Sequence, residues 1–209
     1  MKYRRDNYEY TKEKSRTAFL CYNQEKMIRC FSLSHDADNL YLPFAGLDYR
    51  ISRKTGTVER CLPENRTVPA DYEETMTIYD VLCHENPGAG PEWCLVNSLP
   101  GVGQNSGVGE NLKTEDAAHI NENPEAYENA CRKLGGRRIS LGDLGFEIPV
   151  FPFFPVRLRF YFGDEEFPPQ LSILFHSRTL EYMHYETTYY AAACLLRAIR
   201  REMQSPANP

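Results

Sequence analysis

Between Leu144 and Phe175 the chain passes three times through apolar, aromatic-rich sequence, from Leu144 to Val150, Val156 to Phe162 and Leu171 to Phe175. Only proline or acidic turns separate these segments. In Val156-Arg157-Leu158-Arg159-Phe160-Tyr161-Phe162 the period-two alternation is that of a strand with one buried face. Strands that follow one another this closely pair antiparallel, because parallel pairing needs a long crossover. Fourteen tyrosines and eleven phenylalanines also favour a sheet over a pure helical bundle.

The remaining elements are read around that sheet. Residues 6 to 21 are compatible with an N-terminal helix, Met27 to Leu33 alternates as a strand, and Leu40 to Ile51 is extended chain punctuated by Pro43 and Gly46. Lys54-Thr55-Gly56 supplies a turn before Thr57-Val58-Glu59, a hairpin signal. A helix starts near Asp71, with its acidic residues at the positive end of the helix dipole. Another runs from Pro124 to a stop at Gly135-Gly136, and Thr187 to Met203 forms the last. The order of elements predicts an α+β fold, a mostly antiparallel sheet with three to four helices packed on it. A length of 209 residues fits a single domain over 1–209, with 1–24 as the N-terminal helix and 204–209 as a disordered tail.

The formal net charge of −5 argues against nucleic acid as a partner, since phosphate backbones are gripped by clustered positive charge. The first residues pass straight into polar sequence without the apolar stretch of a signal peptide, and no run approaches the length of a spanning helix. A cytoplasmic protein away from the membrane is expected. Seven scattered cysteines, none in a Cys-x-x-Cys pair, read as reduced and mostly buried.

Chemistry is sought first on the polar face of the 156–162 strand. If Phe162 lies opposite Leu171, then Arg157, Arg159, Tyr161 and His176 share one face. Such a face is either a solvated surface whose arginines pair with carboxylates or a groove for a small anionic ligand. In the second reading the arginines act as forked donors and His176 as a proton carrier. Asp143, between glycine and leucine, is a turn former or a base. Asp164 and Glu166 offer oxygen ligands to a hard cation, though adjacent carboxylates in a turn more often only solvate it. Cys83-His84 with Cys94, Cys61 or His119 lacks the short ligand spacing of a structural zinc site. The glycine-rich run from Pro100 to Gly109 lacks the Lys-Ser or Lys-Thr ending of a phosphate loop.

An ordered set of short motifs carries a resemblance. Phe44-Ala45-Gly46-Leu47-Asp48-Tyr49-Arg50-Ile51, Leu99-Pro100-Gly101, Leu141-Gly142-Asp143, Ile148-Pro149-Val150-Phe151-Pro152, Gly163-Asp164-Glu165-Glu166-Phe167-Pro168 and Leu174-Phe175 together resemble the domain of unknown function 3786 family of anaerobic bacteria and archaea. The likeness spans residues 25–190 and implies no established reaction. Some relatives resemble, or are joined to, iron–sulfur modules of one-carbon and corrinoid metabolism, which implies an accessory role and a protein partner in anaerobic metabolism. This chain has no cluster-binding cysteine run, and His176 stands where an aspartate is expected after Leu174-Phe175. The expectation is a bacterial, cytosolic binding or accessory protein that holds a small anionic ligand or cofactor. Its alternatives are an enzyme using Asp143 or Asp164 with His176 as acid or base, and a protein-interaction module. No particular cofactor is assigned.

Overall fold

A computed structural model describes residues 2–99 and 111–205. The chain divides into two compact units, Met1–Pro87 with Glu181–Ala191, and Gly88–Leu180 with Ala192–Pro209. The glycine-rich run of 100–109 and the end of the expected tail, 206–209, lie outside the described residues, while Gln204 closes the last helix.

In the first unit, helices α1 (Lys2–Cys21) and α2 (Gln24–Phe31) precede strands β1 (Ser34–His35), β2 (Asn39–Phe44), β3 (Leu47–Ser52), β4 (Val58–Leu62) and β5 (Arg66–Pro69), and helix α3 (Tyr72–Leu82) follows. The strands form a meander in sequence order, every neighbouring pair antiparallel. Between Phe44 and Leu47 the hairpin closes on Ala45 and Gly46, both at positive φ, the conformation that matches strand twist in a two-residue turn. Alternation buries Leu40, Leu42 and Phe44 on β2 and Tyr49 and Ile51 on β3.

Residues 27–33 correct the expected strand. Asn23 caps α2 by accepting the Lys26 N–H, Ser32 ends it in the left-handed region, and Met27, Ile28 and Phe31 are buried at helical spacing. Alternation over so short a run cannot separate the two periods. α3 agrees with the sequence. Asp71 accepts the Glu74 N–H while Glu74 accepts the Asp71 N–H, a capping box.

In the second unit come β6 (Trp93–Leu95), α4 (Asn111–Glu122), α5 (Pro124–Lys133), β7 (Arg137–Ile139), β8 (Leu144–Phe151), β9 (Phe154–Tyr161) and β10 (Gln170–His176). The sheet order is β6-β10-β9-β8-β7, again antiparallel throughout. Tyr127 of α5 is buried with its ring against Phe146 and Phe160. The helix ends as its glycines predict. The Gly136 N–H reaches the Cys131 carbonyl and the Gly135 N–H that of Arg132, a Schellman motif with Gly135 at φ 77°. A Cβ on Gly136 would meet the Cys131 carbonyl oxygen at 2.6 Å, so no other residue fits there without a shift.

The last helix, α6 (Tyr185–Gln204), spans the boundary between the two sets of residues. The α+β class with antiparallel sheet therefore holds, but with two five-stranded sheets and six α-helices among the described residues in place of three to four. The additional helices are α2 and α4, the latter without a strong apolar stripe to announce it. No helix among the described residues is long and apolar enough to cross a membrane.

Candidate functional site

One group of metal-ligating side chains assembles among the described residues, and it lies within the first unit: Asp80, His84 and His184. Asp80 is in the last turn of α3 and His84 lies just beyond its end, four residues on, so both project from one side of the chain as it leaves the helix. His184 immediately precedes α6. Its backbone N–H donates to Asp80 Oδ2 at 2.8 Å, and its Nδ1 lies 2.6 Å from Oδ1. One carboxylate thus docks the segment that enters α6 and holds the ring that segment carries.

The tautomers follow from the acceptors. His84 Nδ1 is 2.7 Å from the Asp80 carbonyl oxygen, which can only accept, so the ring donates from Nδ1 and Nε2 is the nitrogen that carries the lone pair of the neutral ring. The same holds for His184 against the carboxylate. The two rings stand nearly perpendicular with centroids 4.8 Å apart. One ligand atom from each of the three residues can be chosen so that all lie within 4.8 Å of one another. A tetrahedral ion with bonds of about 2.1 Å needs its ligand atoms about 3.4 Å apart, a closure within reach of a side chain as exposed as His184.

All three residues line a cavity of about 390 Å³ in this unit. Its other walls include Tyr22, Tyr72, Tyr79, Tyr190 and Met76, with Glu186 the second carboxylate. Tyr72 stands edge-on to both Tyr8, at 4.7 Å, and Tyr190, at 6.0 Å. Burial raises the phenols of Tyr72 and Tyr190 above the ordinary value and pushes Tyr79, whose hydroxyl donates to the Gly56 carbonyl at 2.6 Å, up to about 12. Cys83 also lines the cavity, but burial pushes its thiol to about 12, which disfavours the thiolate a nucleophile or metal ligand needs.

The residues singled out in the sequence lie in the second unit. β9 and β10 pair with Phe160 opposite Leu171, two residues from the expected register, so Arg159 faces Ser172 and Arg157 faces Leu174. His176 pairs instead with Trp93 of β6 and is buried beside the rings of Trp93 and Phe154. Arg157 donates to Glu147 at 2.9 Å and lays its guanidinium 4.1 Å over Trp93, whose ring also stands edge-on to His176. Arg159 is 3.5 Å from the Ser172 hydroxyl, with its buried Nε lacking an acceptor, and its guanidinium lies over the ring of the exposed Tyr161. β9 ends at Tyr161, leaving Phe162 exposed instead of in the core.

Asp143 accepts the Phe162 N–H at 2.9 Å, a contact across 19 residues that ties its segment to the chain just past β9, whereas Asp164 accepts the N–H groups of Glu166 and Phe167, a turn-forming role. The backbone donors from Phe167 and Glu166 hold the Asp164 carboxyl below its ordinary value. Glu166 is exposed. No disulfide joins the seven cysteines, but only Cys131 and Cys194 are buried, which corrects the expectation that most would be.

In the sequence His84 is weighed only beside Cys83, and Asp80 and His184 are not singled out. The available signal was the Asp80-x-x-x-His84 spacing at the end of an expected helix, which puts two ligands on one face. Among families, that described as domain of unknown function (DUF3786) matches residues 23–198. No curated protein and no solved structure matches the chain.

Proposed function

The chain belongs to the DUF3786 family, and from that premise we propose that it is a binding or accessory protein holding a divalent first-row transition-metal ion on Asp80, His84 and His184. The observation that carries this reading is the convergence of two imidazoles and one carboxylate on the wall of a cavity. Two nitrogen donors and one oxygen suit zinc, iron and their neighbours better than calcium or magnesium, which prefer all-oxygen sets. The Nδ1–H of His84 bonded to a backbone carbonyl is the outer-shell partner that orients ligating histidines. Three protein ligands leave coordination positions open, as in sites that bind or transform a further molecule, whereas structural zinc sites are closed by four.

The arginine face supports a second reading, a small anion at Arg159, because that guanidinium retains a buried Nε without an acceptor. It is the weaker of the two, since Arg157 is already engaged by Glu147. A cytoplasmic location is part of the proposal, as cysteines free of disulfides suit a reducing compartment.

The test is titration of the chelator-treated protein with Zn²⁺ and Co²⁺, read by calorimetry and by the Co²⁺ absorption spectrum. One ion per chain is expected, with His184→Ala weakening it at least tenfold and leaving the far-UV circular dichroism unchanged. Equal affinity in wild type and His184→Ala, or no saturable binding, refutes the assignment.

A further inference from the structure

Resting on that metal-binding reading, we propose that the open coordination positions receive an organic ligand with an anionic oxygen-donor head and a flat, apolar body seated against the tyrosines. The charge balance selects the head. A dication with one carboxylate and two neutral imidazoles keeps a net charge of +1, while no lysine or arginine is among the described residues that line the cavity. An anion entering this cleft therefore has the metal as its main attractor, and without the metal it meets the carboxylates of Asp80 and Glu186 beside the two imidazoles. Anion binding here is thereby favoured by metal loading.

The walls select the body. Tyr72 and Tyr190 are partly buried, and Tyr22 is half exposed at the rim. Phenol rings with Met76 give flat apolar surface on which an aromatic group packs, as Tyr8 and Tyr190 already do edge-on against Tyr72. A cavity of about 390 Å³ lies in the range of small-molecule sites, roughly 300–1,000 Å³, and at its lower end admits one or two rings beside the ion. Glu186 disfavours a second negative charge on the ligand, so the class is a monoanion with an aromatic or similarly flat tail.

Benzohydroxamate and acetohydroxamate separate these elements, since both offer the same chelating head and only the first carries a ring. Calorimetric titration of the Zn²⁺-loaded protein is expected to show benzohydroxamate binding at least tenfold more tightly than acetohydroxamate. Omitting Zn²⁺ should abolish both, and Tyr190→Ala should erase the preference for the ring while leaving Zn²⁺ affinity unchanged. Intact Zn²⁺ binding with equal affinity for the two hydroxamates overturns this inference alone. Benzohydroxamate binding that is indifferent to Zn²⁺ overturns it as well, and failure of Zn²⁺ to bind overturns the metal assignment together with it.

Discussion

Replacing Glu74 by alanine tests whether α3, the helix that carries Asp80, is anchored at its first turn by a small polar network. Glu74 is nearly fully buried, with a side chain only 6% exposed. Its carboxylate takes the Arg60 Nε–H at 2.7 and 2.9 Å and the Asp71 N–H at 2.9 Å. Losing a helix cap costs about 0.5–2 kcal/mol, and a hydrogen bond to a charged group contributes about 1.5–3 kcal/mol. The sum is not fully lost, because Arg60 is 31% exposed and keeps Asp71 at 3.1 Å. The expected cost of Glu74→Ala is therefore about 2–4 kcal/mol. Glu74→Gln, which retains an acceptor for the Asp71 N–H but not the charge, should cost about half of that. Urea unfolding followed by circular dichroism reads the difference as a fall in midpoint at constant slope, roughly 1–2 M for a slope of about 2 kcal/mol per molar. A Glu74→Ala midpoint within about 0.2 M of wild type would refute the reasoning, since about 0.5 kcal/mol is what an ordinary surface substitution does.

Two pH experiments follow from other buried groups. Burial works to raise Glu147, but the hydrogen bonds from Arg137 and Arg157 outweigh it and hold the carboxyl below its ordinary 4.5, so its contribution to stability is present above that value and lost as pH falls through the lower folded value. Thermal melts from pH 7 to pH 3 should show a shallower acid limb for Glu147→Gln than for wild type, and parallel curves would remove Glu147 from the account. Tyr79, raised from 10.0 to about 12, has the opposite sign: its contribution is complete below pH 10 and lost as pH rises toward 12. Tyr79→Phe should cost about 1–2 kcal/mol at neutral pH, because the Gly56 carbonyl loses its donor, yet flatten the alkaline limb. An unchanged alkaline transition sinks that assignment.

What could be read in advance depended on how local the determining contacts are. Asp71 with Glu74, and Pro124 with Gly135-Gly136, satisfy helix ends within a few residues of themselves, so α3 and α5 were visible in the chain. The turn of Ala45-Gly46 between alternating segments was equally local. α2 was not, because Met27 and Phe31 satisfy both period two and period four, and only the Asn23 cap decides between them. The β9–β10 register escaped because the connecting segment folds on itself, with Asp164 gathering the N–H groups of Glu166 and Phe167 and its own N–H reaching the Phe167 carbonyl. That slip is two residues, an even number, so Arg157, Arg159 and Tyr161 stay on the expected side of the strand and only their partners change.

The metal-ligating set depends on a contact of another kind. Asp80 and His184 are 104 residues apart, and neither belongs to a pattern that points to the other. What joins them is a division of labour between the two oxygens of one carboxylate. Oδ2 takes the backbone N–H of His184, and Oδ1 takes the ring nitrogen. An ion held by Oδ1 and the imidazole would displace only the side-chain bond. The backbone bond to Oδ2 is left in place, so the segment entering α6 need not undock when the ion binds. The backbone that carries His184 is thereby held in place before binding, so that only its ring would have to turn to present Nε2, which lowers the ordering cost of taking up an ion.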